Sequence, residues 1–147
     1  MSLLRQGITG FDVQSTVDFR AFKKAVFAAA QATDATVISI VASKCVTPNF
    51  HQAELLYARR EFGIICNRNF PVVAFVTTPI AMGAIQPFDF PELAAAISEF
   101  GFEVPSASEL QRMVESDELE ILSKGERHEV KYWKPKRIAD VVFNWWD

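Results

Sequence analysis

Thr36-Val37-Ile38-Ser39-Ile40-Val41-Ala42 and Pro71-Val72-Val73-Ala74-Phe75-Val76-Thr77 are the two stretches that decide how this chain folds. Both are β-branched and almost wholly apolar, the composition of strands covered on both faces. Between them, Asn49 is a fair N-cap with Gln52 three residues later, which predicts a helix from Phe50 to about Phe62. Strand, helix and strand within about 42 residues make a βαβ unit. Its two strands are then parallel and joined by a right-handed crossover.

Working outward, Ile8 to Gln14 reads as an extended segment punctuated by Gly7 and Gly10. Ser15 and Asp18 have the spacing of a capping box. Phe19, Phe22, Val26, Phe27 and Ala30 then follow a 3.6-residue period, with Arg20, Lys23 and Lys24 on or beside the other face. On the far side, Asp89 to Phe100 reads as a helix, with Pro91 in its first turn and Gly101 just past its end. Phe102-Glu103-Val104 suits a short edge strand, and Ser106 with Glu109 caps a helix from Ala107 to about Glu115. Leu119 to Leu122, a turn at Lys124-Gly125, and Arg127 to Trp133 read as a hairpin. Pro135 stops it, and Ile138 to Trp146 forms a short helix with Ile138, Val141, Val142 and Trp145 on one face. The expectation is one α/β domain over residues 1–147. It has a mixed sheet, a central βαβ unit, helices packed on the sheet, and a C-terminal hairpin followed by a short helix.

Half of the 147 residues are hydrophobic, thirteen of them Phe, so a sizeable core is available, with Phe19, Phe22, Phe27, Phe62, Phe75 and Trp145 as its aromatic candidates. No uninterrupted apolar run approaches the roughly 18 residues of a membrane span. The first residues lack the apolar run of a signal peptide. Cys45 and Cys66 stand in apolar company and read as buried free thiols. Together these features predict a cytoplasmic protein.

No pattern assigns a catalytic residue. Glu129-Val130-Lys131, on one arm of the expected hairpin, would put an acid and a lysine on one strand face. That is the pairing of a metal-dependent nuclease, with Asp117 the nearest further acid. Cys45, His51 and Glu54 could be a nucleophile, base and orienter, but their spacing matches no nucleophile elbow. Cys45, His51, Cys66 and His128 lack zinc-ligand spacing, and no glycine-rich phosphate loop is present. No metal and no cofactor is expected. Arg59-Arg60 and Lys134-Pro135-Lys136-Arg137 are basic clusters, yet a pI near 5.4 argues against direct nucleic-acid binding.

Charge is the remaining signal. Between Asp89 and Glu129, eleven carboxylates stand against Arg112, Lys124 and Arg127. Carboxylates at helix starts account for a few of them. Carboxylates crowded along Glu115, Asp117, Glu118 and Glu120 repel one another and lower stability, whereas an uncompensated acidic face speeds the encounter with a basic partner. The residues from Tyr132-Trp133-Lys134-Pro135-Lys136-Arg137 through Phe143-Asn144-Trp145-Trp146-Asp147, closing a small acidic α/β chain without catalytic motifs, resemble the immunity proteins of bacterial polymorphic and contact-dependent toxin systems. That resemblance implies non-catalytic capture of a cognate, basic toxin domain. Partner contacts are expected from Glu115, Asp117, Glu118, Glu120, Glu126 and Glu129, with Trp133 as an anchor. A nuclease using Glu129 and Lys131 is one alternative. The other is a homo-oligomeric structural or regulatory domain with Trp133 and Trp146 at the subunit contact.

Overall fold

The computed structural model describes residues 3–11, 16–44, 47–80 and 85–146. Five strands lie side by side in chain order: β1 (Thr36–Val41), β2 (Phe50–Tyr57), β3 (Arg60–Asn67), β4 (Val73–Thr77) and β5 (Pro87–Phe88). Every neighbouring pair is antiparallel. The architecture is α/β, as expected, but the sheet is a meander and contains no βαβ unit among the described residues.

The correction sits in residues 50–67, where a helix was expected and a hairpin is found. Tyr57 pairs with Arg60, so the connection is only Ala58-Arg59, both at positive φ (48° and 66°). Two left-handed residues in a row are what a tight hairpin turn needs, but Asn or Gly usually supply them. The sequence therefore carried no turn signal there. Its Gln, Glu, Leu, Ala and Arg residues favour helix locally. Burial overrides that preference: Phe62 to Asn67 are all buried, because β3 is covered on both faces.

Two apolar layers result. On one face, Phe62, Ile64, Cys66, Val73 and Phe75 pack under α1 (Phe19–Thr33) and α2 (Pro91–Ser98). On the other, Phe50, Ile65, Ala74 and Val76 meet Leu3, Leu4, Ile8 and the later helices. These are α3 (Ala107–Gln111), a 3-10 turn (Glu118–Ile121), α4 (Lys124–Trp133) and α5 (Ile138–Val142). The capping proposed at Ser15 lies outside the described residues. Asp18 itself is the N-cap of α1, its carboxylate accepting from the Arg20 N–H at 3.0 Å. Phe22, Ala25, Val26, Ala29 and Ala30 are the buried stripe, while Phe27, expected in the core, is 49% exposed.

Pro91 at the start of α2, and Gly101 at φ 87° just past its end, match the reading of that helix. Ser106 caps α3 as expected, although the helix stops at Gln111. Glu103 makes a bridge to Val72 and not a full strand. Ile8 N–H bonds to Arg5 O and Gly10 N–H to Gly7 O, so the start of the segment expected to be extended from Ile8 to Gln14 turns instead, and its residues 12–14 lie outside the described residues. The predicted C-terminal hairpin is instead helix α4. Ser123 and Glu126 form a full capping box, each side chain accepting from the other's backbone N–H. The glycine of Lys124-Gly125 suggests a turn, but the capping box around it is the stronger signal.

Buried amides tie both ends of the chain to the sheet. The Asn67 amide donates to Ile8 O (2.8 Å) and Val142 O (2.7 Å), and its carbonyl accepts from the N–H groups of Asn69 and Phe70. Asn49 donates to the same two carbonyls at 3.2 and 3.1 Å and accepts from the Asn144 N–H at 2.8 Å. Asn144 donates to Thr9 O and Val141 O. The aromatic residues after α5 are docked by this arrangement: Phe143 is buried and Trp146 is 6% exposed.

Candidate functional site

Each expected partner-contact residue now has a place. Glu115, Asp117 and Glu120 are exposed, on and beside the 3-10 turn Glu118–Ile121. Glu118 is half-buried and held by Arg112 in a bidentate pair, at 2.7 and 2.8 Å. That guanidinium holds the Glu118 carboxyl below the usual carboxylate range. Glu118 also accepts from the Glu115 N–H at 3.0 Å, which tightens the loop. Its charge is therefore spent inside the molecule.

Glu126 is fully buried, and its place among the partner contacts is withdrawn. Its carboxylate accepts from the Gly7 N–H (2.9 Å), the Thr9 N–H (3.1 Å), the Thr9 hydroxyl and the Ser123 N–H (3.2 Å). It holds the N-terminal turn against α4. Glu129 is half-buried and accepts a long bond, 3.4 Å, from the Trp133 indole N–H. Trp133, 37% exposed, stacks on Trp146 with centroids 6.4 Å apart and ring planes 3° from parallel. The subunit contact imagined for this tryptophan pair is thus partly satisfied within one chain.

Two further readings lose their geometry. On a helix, residues two apart point about 200° away from one another. Glu129 and Lys131 on α4 therefore do not share a face, and the nuclease pairing that assumed a strand dissolves. Cys45 lies outside the described residues. His51 and Glu54 fall on opposite faces of β2 by strand alternation, so they do not form a relay. Among the described residues no group of three His, Cys, Asp or Glu could hold a metal ion. Cys66 is a free, buried thiol whose burial pushes its pKa far above the ordinary value.

The eleven acidic groups do not form one flank. Glu92 on α2 and Glu99 at its C-terminal cap lie on the opposite side of the sheet from Glu115 to Glu120, and Glu103 pairs with Arg5 at 3.2 Å. What remains is smaller and better defined. Met113, 71% exposed, and Ile121, 52% exposed, bracket in sequence the exposed Glu115, Asp117 and Glu120. The loop that carries them is pinned by Val114 N–H to Lys136 O (2.8 Å) and Ile138 N–H to Arg112 O (2.9 Å). Sequence reasoning found the acids and missed Met113 and Ile121, because an isolated apolar residue gives no sign of its exposure.

α4 adds a contrasting surface. Lys124, Arg127, His128, Lys131 and Lys134 are exposed and follow helical spacing along one side. Read as a hairpin, the same residues would have been divided between two faces.

His51 is 3% exposed, between Phe19 (centroids 5.1 Å) and Phe22 (6.0 Å), and its Nδ1 accepts from the Ser43 N–H at 2.9 Å. Burial lowers its pKa, and Arg68 nearby adds to the effect. The unfolded chain therefore takes up the proton first, so stability is lost as the pH falls from about 6.5 towards the folded value. Urea midpoints measured between pH 7.5 and 5 should decline over that window, and His51→Phe should flatten the decline. An unchanged slope in that variant would assign the pH dependence elsewhere.

No described helix is long and apolar enough to cross a membrane. Comparison of the chain with protein-family models, with curated proteins and with solved structures gives no match.

Proposed function

We propose that this protein is a non-catalytic binding module of the immunity type. It neutralises a basic toxin domain through the loop that carries Met113, Glu115, Asp117, Glu120 and Ile121, and it does so in the cytoplasm. The carrying observation is the exposure of two large apolar side chains that bracket three carboxylates in sequence on a pinned loop. Apolar anchors supply most of the energy of a contact, and the charges around them select and steer the partner. A loop already fixed by backbone bonds loses little entropy on docking. The Arg112–Glu118 pair supports the loop from within and is not counted among the contacts.

The test expresses each polypeptide encoded beside this chain, and one that arrests growth alone but is tolerated on co-expression is the expected partner. Reversing Glu115, Asp117 and Glu120 together to Lys should slow association at least tenfold at low salt, with a smaller effect at high salt. Met113→Ala with Ile121→Ala should accelerate dissociation. Reversing Lys124, Arg127 and Lys131 to Glu is the control and should leave the complex intact. If that control abolishes the complex while the acidic reversal does nothing, α4 is the contact face and the present assignment is wrong.

A further inference from the structure

The opposite layer holds a cavity of about 530 Å³ that none of the above uses, lined by Tyr57, Ala58, Arg60, Glu61, Phe62, Thr77, Phe88 and Phe90. Its make-up follows from register. Tyr57 pairs with Arg60, Leu55 with Phe62, Phe62 with Thr77, and Phe75 with Phe88. Cross-strand partners and alternate residues share a face. Tyr57, Arg60, Phe62, Thr77 and Phe88 therefore all lie on the face that α1 and α2 cover. These helices leave open the strand ends beside the Ala58-Arg59 turn.

Phe90, just before α2, closes one side. It meets Tyr57 edge-on at 5.2 Å and Phe62 at 5.6 Å, while Phe62 meets Phe88 edge-on at 5.9 Å. The walls are four aromatic rings. Glu61, by alternation, directs its carboxylate to the other face of the sheet. Of the two charged side chains in the lining, the Arg60 guanidinium is the one that alternation places on the cavity's own face. Among the described residues neither that group nor the Tyr57 hydroxyl has a hydrogen-bond or ion-pair partner. The cavity volume is in the range of small-molecule sites, which typically combine apolar walls with a few convergent polar groups.

We propose that this cavity binds a small aromatic carboxylate. The ring would sit among Tyr57, Phe62, Phe88 and Phe90, where edge-to-face packing is favourable. The planar, permanently charged guanidinium of Arg60 matches a carboxylate with two parallel hydrogen bonds. The Thr77 hydroxyl, on the same face, is a further donor. One cation suits a monoanion, whereas a phosphate dianion would call for more donors than the walls supply. The site is on the opposite side of the sheet from the acidic loop and does not depend on the immunity reading.

The probe is 3-phenylpropionate, titrated into the intact chain and followed by amide chemical shifts and calorimetry. Saturable binding at millimolar concentration or tighter is expected, with shifts confined to residues 57–62, 77 and 88–90. The neutral 3-phenylpropionamide should bind at least tenfold more weakly. Arg60→Gln, exposed and therefore compatible with folding, should erase the preference for the acid, while Phe90→Ala should weaken acid and amide alike. No saturation at 10 mM, about the weakest affinity compatible with such a site, would overturn the proposal. So would equal affinity for acid and amide, or shifts clustered on the basic side of α4. Binding of a peptide ending in phenylalanine, without binding of the free acid, would replace it with capture of a chain terminus.

Discussion

Glu126→Ala should lower unfolding free energy by about 3–5 kcal/mol, among the largest effects of any single substitution in a chain of this size. Two backbone N–H groups and one hydroxyl from Gly7 and Thr9, and one N–H from Ser123, aim at this carboxylate from inside the core. Removing it strands those donors in a site closed to solvent. Glu126→Gln keeps the shape but presents an amide NH₂ to groups that are themselves donors, so about 2–3 kcal/mol should be lost. Guanidinium melts of both variants, read by tryptophan fluorescence and far-UV dichroism, give the numbers. The sequence offered the opposite expectation, that Glu126 contacts a partner. In that case stability would be untouched and only binding would change. A loss below 1 kcal/mol for the alanine variant would show that the N-terminal turn is held by something other than this side chain.

The second large effect is expected at Asn67. Replacement by Leu leaves the N–H groups of Asn69 and Phe70 without an acceptor, and about 3–4 kcal/mol should be lost. Asn67→Asp keeps those acceptors but turns a carboxylate oxygen towards the carbonyls of Ile8 and Val142, a clash of like polarity costing about as much. Asn49 donates to the same two carbonyls, which Asn67 still satisfies in Asn49→Ala, so that variant should cost about 1–3 kcal/mol, chiefly through the Asn144 N–H left without its acceptor. The double variant Asn49→Ala/Asn67→Leu should then lose more than the sum of its parts. Strict additivity in the denaturation energies would mean that the two amides act independently.

Much of the fold was legible where one local signal met no competitor. α1 follows from its apolar period, α2 from Pro91 and Gly101, α3 from the Ser106 cap, and β4 from its β-branched run. β1 was found as a strand, though it lies at the sheet edge with Ile38 and Val41 about half exposed, and not between two layers. The failures fall where a turn lacks its usual residues or a glycine mimics one. Ala58-Arg59 bends the chain with neither Asn nor Gly, so the β2–β3 hairpin read as a helix. Lys124-Gly125 looked like a hairpin turn although Ser123 and Glu126 cap a helix there. The second error carried into the site, because pairing Glu129 with Lys131 and exposing Glu126 both assumed a strand. Charge was readable as an inventory only. Which carboxylates face solvent depends on contacts made by Arg112, which stands among the acids, and by Gly7 and Thr9, which lie more than a hundred positions from Glu126 and leave no local sign.

The sheet itself is assembled from neighbours: each strand pairs with the one before it, and such local closures form early and fast. The junction around Asn67 is of another kind, since Thr9 and Asn144 touch across 135 positions of chain. Closing so long a loop adds an entropic barrier that local pairings do not face. Maturation should therefore run in two stages, a meander that collapses first and a latch that snaps shut afterwards. In any chain where the latch stays open, the sheet face bearing Ile65, Ala74 and Val76 would be exposed, a surface on which newly made chains would adhere to one another.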